Sequence, residues 1–401
     1  MNKKENREKL KIAMVCDAIA YKNGASMSTI RFAEGLREKE HEIIFFADRS
    51  PQHPHYDGEF LEFKTYRFFS LLMPKGDGLY RISFPGKKRL EKLFRKHQID
   101  VVHVFLPVPS TINAIRAAKR CGLPIVVHSH AQPENLFLHV PRSIAFMIPA
   151  LNYLFDRYMG WIYKNADVVV YPSEFARKYF PKINKIKKNI VVSNGINTQV
   201  FKKVGDAEIK NLLQEYKTPQ SRVIILYFGR LHPEKDLGTL IRAMALIKQK
   251  NLDAHLIIAG MGHMDKELKK LAKSLNIGQH VSFWGKVPDE KKVAAFSAAD
   301  IFVLPSLAEL EGMVVLEAMA CGKPIVIANS PESASVHFVK NNGLLFEPKN
   351  HKELAKCLIE LAEDEQLREE MGGISRELSK KYERSESINK LEETYYSLLT
   401  K

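Results

Sequence analysis

Two glutamates, Glu309 and Glu317, lie eight positions apart on either side of a glycine, Gly312. The apolar run 301–304 before them is typical of a buried strand, and the run 313–320 is typical of a helix. The glutamates therefore lie where a loop becomes a helix. Two carboxylates at such a junction can accept hydrogen bonds from two different polyhydroxylated groups. A solvated loop acid and a structural helix glutamate are the alternative interpretation of the same spacing.

The predicted helix start between the two glutamates is a candidate anion site. The first amides of a helix have no intrahelical acceptor, and the helix dipole places positive charge there. The amides of Gly312, Met313 and Val314 could hold a diphosphate without any basic side chain. The spacing thus favours a phosphate group bound between two sets of sugar hydroxyls.

Two cations, Arg230 and Lys235, follow Gly229 at the end of another apolar run, 224–228. This position, after a predicted strand and before a predicted helix, is the edge at which open α/β sheets bind ligands. Cations there can neutralise a departing diphosphate. A solvated surface loop is the alternative for an isolated Arg and Lys.

Two further loops contain glycines that would let a ligand approach the backbone. In Asn23-Gly24-Ala-Ser26-Met-Ser28, Ser26 or Ser28 could cap a helix predicted over about 26–39, although a simple turn needs the same residues. Gly260-Met-Gly262 lacks the third glycine and the downstream acid of a dinucleotide fingerprint. We interpret it as a tight turn beside a bound ligand and expect no NAD site.

Two histidines, His128 and His130, follow the predicted strand 125–127, and Glu134 lies four positions further on. Paired histidines can bind a metal, but no further ligand cluster stands near them in the sequence. No Asp-X-Asp pair occurs either, so we expect no metal site. Both histidines could instead contact a ligand or lie in the core or on the wall of a cleft. Glu134 is a candidate contact for a second substrate, the acceptor of a transferred group.

Strand-like runs alternate with helical patterns along the whole chain, which predicts parallel sheets built from βαβ units. The pattern starts again near Asn194, and 401 residues exceed the usual size of a single core. We therefore predict two doubly wound domains, 1–193 and 194–382. Because such sheets bind ligands beyond the carboxyl ends of their strands, the cleft between the domains is the expected active site.

The composition, 45% hydrophobic and 27% charged, is that of a folded soluble protein. Four widely spaced cysteines favour reduced thiols in a cytoplasmic protein over disulfides or a zinc site. The polar N-terminus leads directly into a strand-like run, so we expect no signal peptide. No stretch reaches about 18 uninterrupted apolar residues, the usual minimum for a spanning helix.

The net charge of +15 is concentrated in the first half of the chain. Residues 1–195 contain 32 Lys and Arg against 18 Asp and Glu, whereas residues 196–401 contain 29 against 28. This asymmetry predicts an acidic partner for the first half, either an anionic membrane surface or a nucleic acid.

A basic helix predicted over 87–97 favours the membrane. It places Leu90, Leu93 and Phe94 on one face, and its other faces carry Lys87, Lys88, Lys92, Arg95 and Lys96. A second cluster comprises Arg177, Lys178, Lys182, Lys185, Lys187 and Lys188. With the apolar stretches 69–73 and 144–161, these cations fit interfacial binding to anionic lipid. A merely solvated helix is the alternative.

The Glu309–Glu317 element, with Pro-Ser before it and Glu-Ala-Met-Ala-Cys-Gly-Lys-Pro at its end, resembles the E-x7-E element of the retaining GT-B glycosyltransferases of family 4. The loop 229–235 resembles that family's G-R-x-x-x-E-K signature, and the resemblance covers nearly the whole chain. It implies a GT-B fold, with two Rossmann-like domains facing across a cleft. The last helix, 383–401, would complete the first domain.

The resemblance also implies residue roles. Glu309 would meet the transferred sugar, Glu317 the donor ribose, and His130 the donor sugar. The implied catalytic residues are Glu309, Arg230, Lys235 and His130. The implied donor site comprises Gly24, Gly229, Arg230, Lys235, Gly262, Val287, Glu309, Gly312, Met313, Val314 and Glu317. Ser26 and Glu134 would lie on the acceptor side.

The implied activity is transfer of a hexose, with retention, from a nucleotide sugar to an acceptor held by the first domain, without metal or cofactor. These motifs and the basic first half of the chain look most like the diacylglycerol glucosyltransferase branch of the family. That resemblance implies a UDP-linked glucose donor and peripheral attachment to the cytoplasmic face of the membrane. Mannosyl or hexosyl transfer to a phospholipid, a polyprenyl-linked saccharide or a soluble saccharide is the runner-up. A nucleotide-sugar epimerase, which lacks this E-x7-E, and a nucleic-acid-binding protein, for which no reader motif is present, are the alternatives of a different class.

Overall fold

The computed structural model describes residues 9–17, 19–21, 24–50, 53–72, 81–130, 148–179, 188–219 and 221–400. The chain divides into two compact units: unit 1 is Met1–Asn194 with Arg384–Lys401, and unit 2 is Gly195–Glu383. Each unit contains a mainly parallel sheet with helices between its strands. The predicted α/β class is therefore confirmed.

Unit 1 is built on an eight-stranded sheet and a separate hairpin. Its strands are β1 (Lys11–Val15), β2 (Glu42–Asp48), β3 (Asp57–Phe60), β4 (Phe63–Phe68), β5 (Ser70–Leu72), β6 (Arg81–Ser83), β7 (Val101–Val104), β8 (Ile125–His128), β9 (Val168–Tyr171) and β10 (Lys188–Val191). The sheet order is β10-β9-β8-β7-β1-β2-β4-β3, and only the edge pair of β3 and β4 is antiparallel. The antiparallel hairpin consists of β5 and β6.

Helices cover the central strands of unit 1, β1, β2, β7, β8 and β9, which are mainly apolar, as expected for a sheet buried on both faces. They are α1 (Gly24–Glu38), α2 (Lys87–Lys96), α3 (Pro109–Cys121), α4 (Ile148–Lys164) and α5 (Glu174–Tyr179). The apolar face predicted for α2 is present, because Leu90 and Phe94 are fully buried.

Unit 2 has a six-stranded, wholly parallel sheet. Its strands are β11 (Val223–Phe228), β12 (Ala254–Ala259), β13 (Val281–Gly285), β14 (Ile301–Leu304), β15 (Ile325–Ala328) and β16 (Gly343–Phe346), in the order β13-β12-β11-β14-β15-β16. Its helices are α6 (Asp206–Glu215), α7 (Leu237–Gln249), α8 (Asp265–Ser274), α9 (Lys292–Ala298), α10 (Met313–Ala320), α11 (His351–Glu363) and α12 (Glu365–Ser379).

The last helix, α13 (Arg384–Leu399), packs into the core of unit 1 although the chain reaches it from unit 2. Ile388, Leu391 and Tyr395 are buried there together with residues of β1, β2 and β7. The Tyr395 hydroxyl lies 2.6 Å from Nδ1 of His103, a buried residue of β7. Glu392 of α13 also pairs with Lys39 at 2.7 Å. Buried side chains, the Tyr395–His103 hydrogen bond and ion pairs thus hold the end of the chain on unit 1.

Candidate active site

The loop after β11 fixes a pair of opposite charges at the carboxyl edge of the unit 2 sheet. Arg230 donates a hydrogen bond of 3.0 Å to Glu234, whose side chain is buried. The Tyr227 hydroxyl donates to the Arg230 carbonyl at 2.7 Å, which holds the loop backbone. The Arg230 side chain remains 44% exposed, so it can still bind an anion from solvent.

Lys235 and Glu309, assigned above to the diphosphate and to the sugar, contact each other directly. Lys235 Nζ donates to Glu309 Oε1 at 2.6 Å, and both side chains are largely buried. The same ammonium lies 3.4 Å from the Ser306 hydroxyl. Because an ammonium has three donors, Lys235 can hold this carboxylate and still bind a phosphate oxygen.

The loop carrying Glu309 is fixed by backbone hydrogen bonds. The Glu309 amide donates to Glu332, and the Ala334 amide donates to the Glu309 carbonyl. Gly312 precedes α10 with φ of 91°, and a Cβ atom there would lie 2.2 Å from the Ser335 hydroxyl. Glycine is therefore required at this helix start, where the Met313 and Val314 amides begin α10.

Glu317, in the second turn of α10, has a different cationic partner. Its side chain is 1% exposed, and Lys292 Nζ on α9 lies 2.8 Å from Oε1 and 2.7 Å from Oε2. The Lys292 ammonium also lies 5.2 Å from the ring centroid of Phe228, at the end of β11. Glu309 and Glu317 thus sit on either side of the α10 start, each next to its own lysine.

Two glycines of the predicted turn 260–262 are required by close backbone packing. A Cβ on Gly260 would lie 1.8 Å from the Gly229 carbonyl oxygen, and one on Gly262 would lie 2.3 Å from that of Leu231. The turn therefore supports the loop that carries Arg230. Val287, which the resemblance assigned to the donor site, is buried just after β13.

Sequence reasoning missed Glu234 and Lys292. The sequence identified Glu234 only as the glutamate of the G-R-x-x-x-E-K signature and gave it no role. The structure gives it one, because the buried Glu234 side chain accepts a hydrogen bond from Arg230. No local signal pointed to Lys292. It lies 25 positions from Glu317, and only the packing of α9 against α10 brings the two side chains together.

Unit 1 by itself contains a stack of histidine rings. His128 lies 5.6 Å from His103 and 4.4 Å from His130 between ring centroids, with nearly parallel planes. Burial lowers the pKa of His130 to about 3, so its ring is neutral near pH 7. Its Nε2 and both ring nitrogens of His128 are buried and have no hydrogen-bond partner among the described residues.

The helix-capping prediction for Ser26 and Ser28 is wrong. Helix α1 begins at Gly24, so both serines lie inside it, and both are fully buried. Ser28 donates to Asn194 instead. A Cβ on Gly24 would meet nothing within 4 Å, so packing does not explain this glycine. Asn23 and Glu134 lie outside the described residues.

The two cation clusters of unit 1 are described to different extents. On α2, Lys88, Lys92, Arg95 and Lys96 are exposed and Lys87 is half-buried. In the second cluster, Arg177 pairs with Glu174 at 2.6 Å. Lys182, Lys185 and Lys187 lie outside the described residues, so the structure gives no account of them.

Within the described ranges, no group of three or more His, Cys, Asp or Glu side chains is arranged to hold a metal ion. None of the helices in these ranges is both long enough and apolar enough to cross a membrane.

Comparison with known proteins defines the class and then the family. A solved structure of Anabaena HepE in complex with UDP and glucose has a TM-score of 0.75 with this chain, covering 97% of it and 100% of HepE at 21% identity. The fold is therefore GT-B. A model described as Glycosyltransferase Family 4 matches residues 22–200, and one described as Glycosyl transferases group 1 matches residues 208–378. The chain belongs to the family 4 glycosyltransferases, as the sequence motifs predicted.

Two relatives differ in their acceptors. The N-acetyl-alpha-D-glucosaminyl L-malate synthase of Bacillus anthracis is 26% identical over 395 residues, 98% of each chain. The alpha-monoglucosyldiacylglycerol synthase of Streptococcus pneumoniae is 21% identical over 312 residues, 77% of this chain and 68% of that protein.

Proposed function

We propose that this glycosyltransferase moves glucose from a UDP-linked donor to a diacylglycerol-type membrane lipid, with retention at the anomeric carbon and without a metal ion. The proposed binding of the donor rests on one observation, a cluster of charged side chains in unit 2. There Arg230, Lys235, Glu309 and Glu317 lie around the start of α10, and the two glutamates each contact a lysine.

The donor would bind with its diphosphate at the α10 amides, between the two glutamates. Glu317 would accept hydrogen bonds from the ribose hydroxyls, and Glu309 from the hydroxyls of the transferred sugar. Arg230 and Lys235 would stabilise the negative charge that develops on the departing diphosphate. The UDP and glucose in the HepE structure support this choice of donor.

The reaction requires one bond exchange. The bond between the anomeric carbon and the phosphate oxygen breaks, and a bond from that carbon to the acceptor oxygen forms on the same face. The acceptor's hydroxyl proton passes to the departing phosphate oxygen, which gives UDP and a glucosyl lipid. The protein's part is to hold the two reactants in place and to stabilise charge.

The lipid acceptor is supported by the charge of unit 1 and by the diacylglycerol relative. The exposed cations of α2 would attract anionic headgroups at roughly 1 kcal/mol per residue near the surface. Such an enzyme would work at the cytoplasmic face of a membrane as a peripheral protein.

A transfer assay tests this proposal. Radiolabelled UDP-glucose is incubated with the protein, excess EDTA and anionic vesicles containing diacylglycerol, with GDP-mannose as the alternative donor. We expect label from UDP-glucose in the organic phase, in an α linkage by NMR. If neither donor gives a lipid product, the proposal of a lipid acceptor is contradicted. If activity is restored only by manganese, the metal-free mechanism is contradicted.

Transfer to a small soluble carboxylate is a second candidate. The relative named as an N-acetyl-alpha-D-glucosaminyl L-malate synthase matches this chain over almost its whole length, and cations in unit 1 could equally bind a free dicarboxylate. Adding L-malate to the same assay, with radiolabelled UDP-N-acetylglucosamine as a further donor, separates the candidates, because this acceptor would give a labelled product that stays in the aqueous phase.

A further inference from the structure

The hairpin of β5 and β6 exposes an unusually apolar outer face. Phe69, Leu71 and Phe84 are 51%, 53% and 46% exposed. Leu71 pairs with Ile82 across the hairpin, and the Phe84 amide donates to the Phe69 carbonyl. Since successive residues of a strand point to opposite faces, these four side chains share one face.

The opposite face of the same hairpin is fixed by polar contacts, although Leu72, which pairs with Arg81 on that face, is 49% exposed. Ser70 and Ser83 pair across the strands, and both are buried. The Ser83 amide and hydroxyl donate to the buried carboxylate of Asp17, at 2.8 and 2.6 Å. Arg81 donates to both the hydroxyl and the carbonyl of Ser70. The apolar face is therefore held in one orientation and does not result from a loosely packed edge.

Cations lie next to this face in the chain. Helix α2 starts three residues after Phe84 and contains six Lys or Arg against one Glu. The connection is anchored, because Asn113 of α3 donates to the Pro85 carbonyl at 3.0 Å. An apolar face beside a basic helix matches a bilayer surface, which presents anionic headgroups over hydrocarbon.

We propose that the outer face of this hairpin inserts into the hydrocarbon boundary of an anionic bilayer, while the α2 cations contact the headgroups. The inference rests on the proposed function and adds the contact surface to it. A second copy of the chain is a poorer occupant, because its α2 helix would bring a second set of cations towards the first. The bilayer satisfies both parts of the surface at once.

The test compares a hairpin variant, Phe69→Ser with Leu71→Ser, with the matched control Val200→Ser. Val200 is 54% exposed, like Leu71, but lies in unit 2. Binding to phosphatidylglycerol vesicles is measured by sedimentation, and folding by thermal unfolding and UDP binding. We expect the hairpin variant to bind vesicles at least about tenfold more weakly, and the control to bind like wild type. Equal binding by all three proteins overturns the inference.

A depth measurement separates insertion from loss of fold. In Leu71→Trp, the added indole fluorescence should shift to shorter wavelength on vesicles and be quenched by lipids brominated on the acyl chain. Val200→Trp should show neither change. If the Leu71→Trp spectrum does not change on vesicles, the inference is overturned. It is also overturned if the wild-type protein is a dimer in solution and the hairpin variant is a monomer.

The hairpin inference and the proposed function can fail separately. The vesicle experiments involve no sugar transfer, so insertion without any lipid product leaves the hairpin contact standing and rejects the acceptor. Transfer to a short-chain diacylglycerol in solution, combined with unimpaired vesicle binding by the hairpin variant, keeps the function and rejects this surface.

Discussion

The Glu317–Lys292 pair makes a prediction at the level of single residues. In Glu317→Gln, Lys292 keeps its charge but loses its buried partner, and the ribose loses an ionised acceptor. We expect the free energy of unfolding to fall by about 3 kcal/mol and UDP to bind at least about tenfold more weakly. Denaturant unfolding and calorimetry measure the two effects. Glu347→Gln, at an exposed site in unit 2, is the control. If Glu317→Gln has the wild-type free energy of unfolding and the wild-type affinity for UDP, the proposed roles of the Glu317–Lys292 pair are contradicted.

Asp17 gives a prediction about pH. Burial raises the pKa of Asp17 from 3.8 to about 7, although hydrogen bonds from Ser83 and Ser110 oppose the shift. Between these values the folded protein keeps a proton that the unfolded chain has lost. The group's contribution to stability is therefore fully present below pH about 4 and is lost as the pH rises through 7, at up to about 1.4 kcal/mol per pH unit.

The measurement is the difference in unfolding free energy between wild type and Asp17→Asn across this window. Other carboxylates titrate in both proteins, so the difference isolates Asp17. We expect the wild type to lose stability relative to the variant from pH 4 to 7. A constant difference contradicts the raised pKa.

Part of the residue-level arrangement could be predicted from the sequence. The positions of Arg230 and Glu309 at strand ends follow from apolar runs and glycines, so the sequence placed them in loops at the same edge of the sheet. The contact between Lys235 and Glu309 joins residues 74 positions apart. No periodicity encodes such a contact, because it depends on how two adjacent loops pack.

At the level of elements, α13 gives the clearest prediction. Tyr395→Phe removes the hydroxyl that contacts His103 Nδ1 and leaves a buried ring nitrogen without this partner. We expect a loss of about 1–3 kcal/mol in the free energy of unfolding, measured with denaturant. Glu393→Gln, an exposed change on the same helix, should be neutral. Equal stability of all three proteins would show that the hydrogen bond does not fasten α13.

The elements themselves were predictable where the apolar runs are long. The runs 254–259, 301–304 and 325–328 coincide with β12, β14 and β15. The edge pair of β3 and β4 was missed because β3 is almost wholly polar and polar residues interrupt the apolar residues of β4. The hairpin was missed because its strands have three residues each. Helix α11 had a signal that was overlooked: the Asn350 side chain caps it by accepting from the Glu353 amide.

At the scale of the whole molecule, the charge asymmetry predicts salt-sensitive membrane binding. Replacing Lys87, Lys88, Lys92, Arg95 and Lys96 by Gln should release the protein from anionic vesicles. Donor binding should not change, because these residues lie on α2 of unit 1, whereas the proposed donor cluster lies in unit 2. Wild-type binding should also weaken with added salt, since exposed charges are screened within about 8–10 Å at physiological ionic strength. Sedimentation with anionic and zwitterionic vesicles measures both effects. A variant that still sediments with anionic vesicles excludes α2 as the contact.

The central claim is that Arg230 and Lys235 stabilise a departing diphosphate at the start of α10. The most direct measurement is the initial rate of sugar transfer by Arg230→Ala and Lys235→Ala, with Lys269→Ala as the control. Lys269 is an exposed lysine of unit 2 that pairs with Asp265 on α8. Each site variant should fold and lose about 100-fold or more in turnover, whereas the control should keep the wild-type rate. A folded Lys235→Ala or Arg230→Ala protein with the wild-type rate would contradict the assignment.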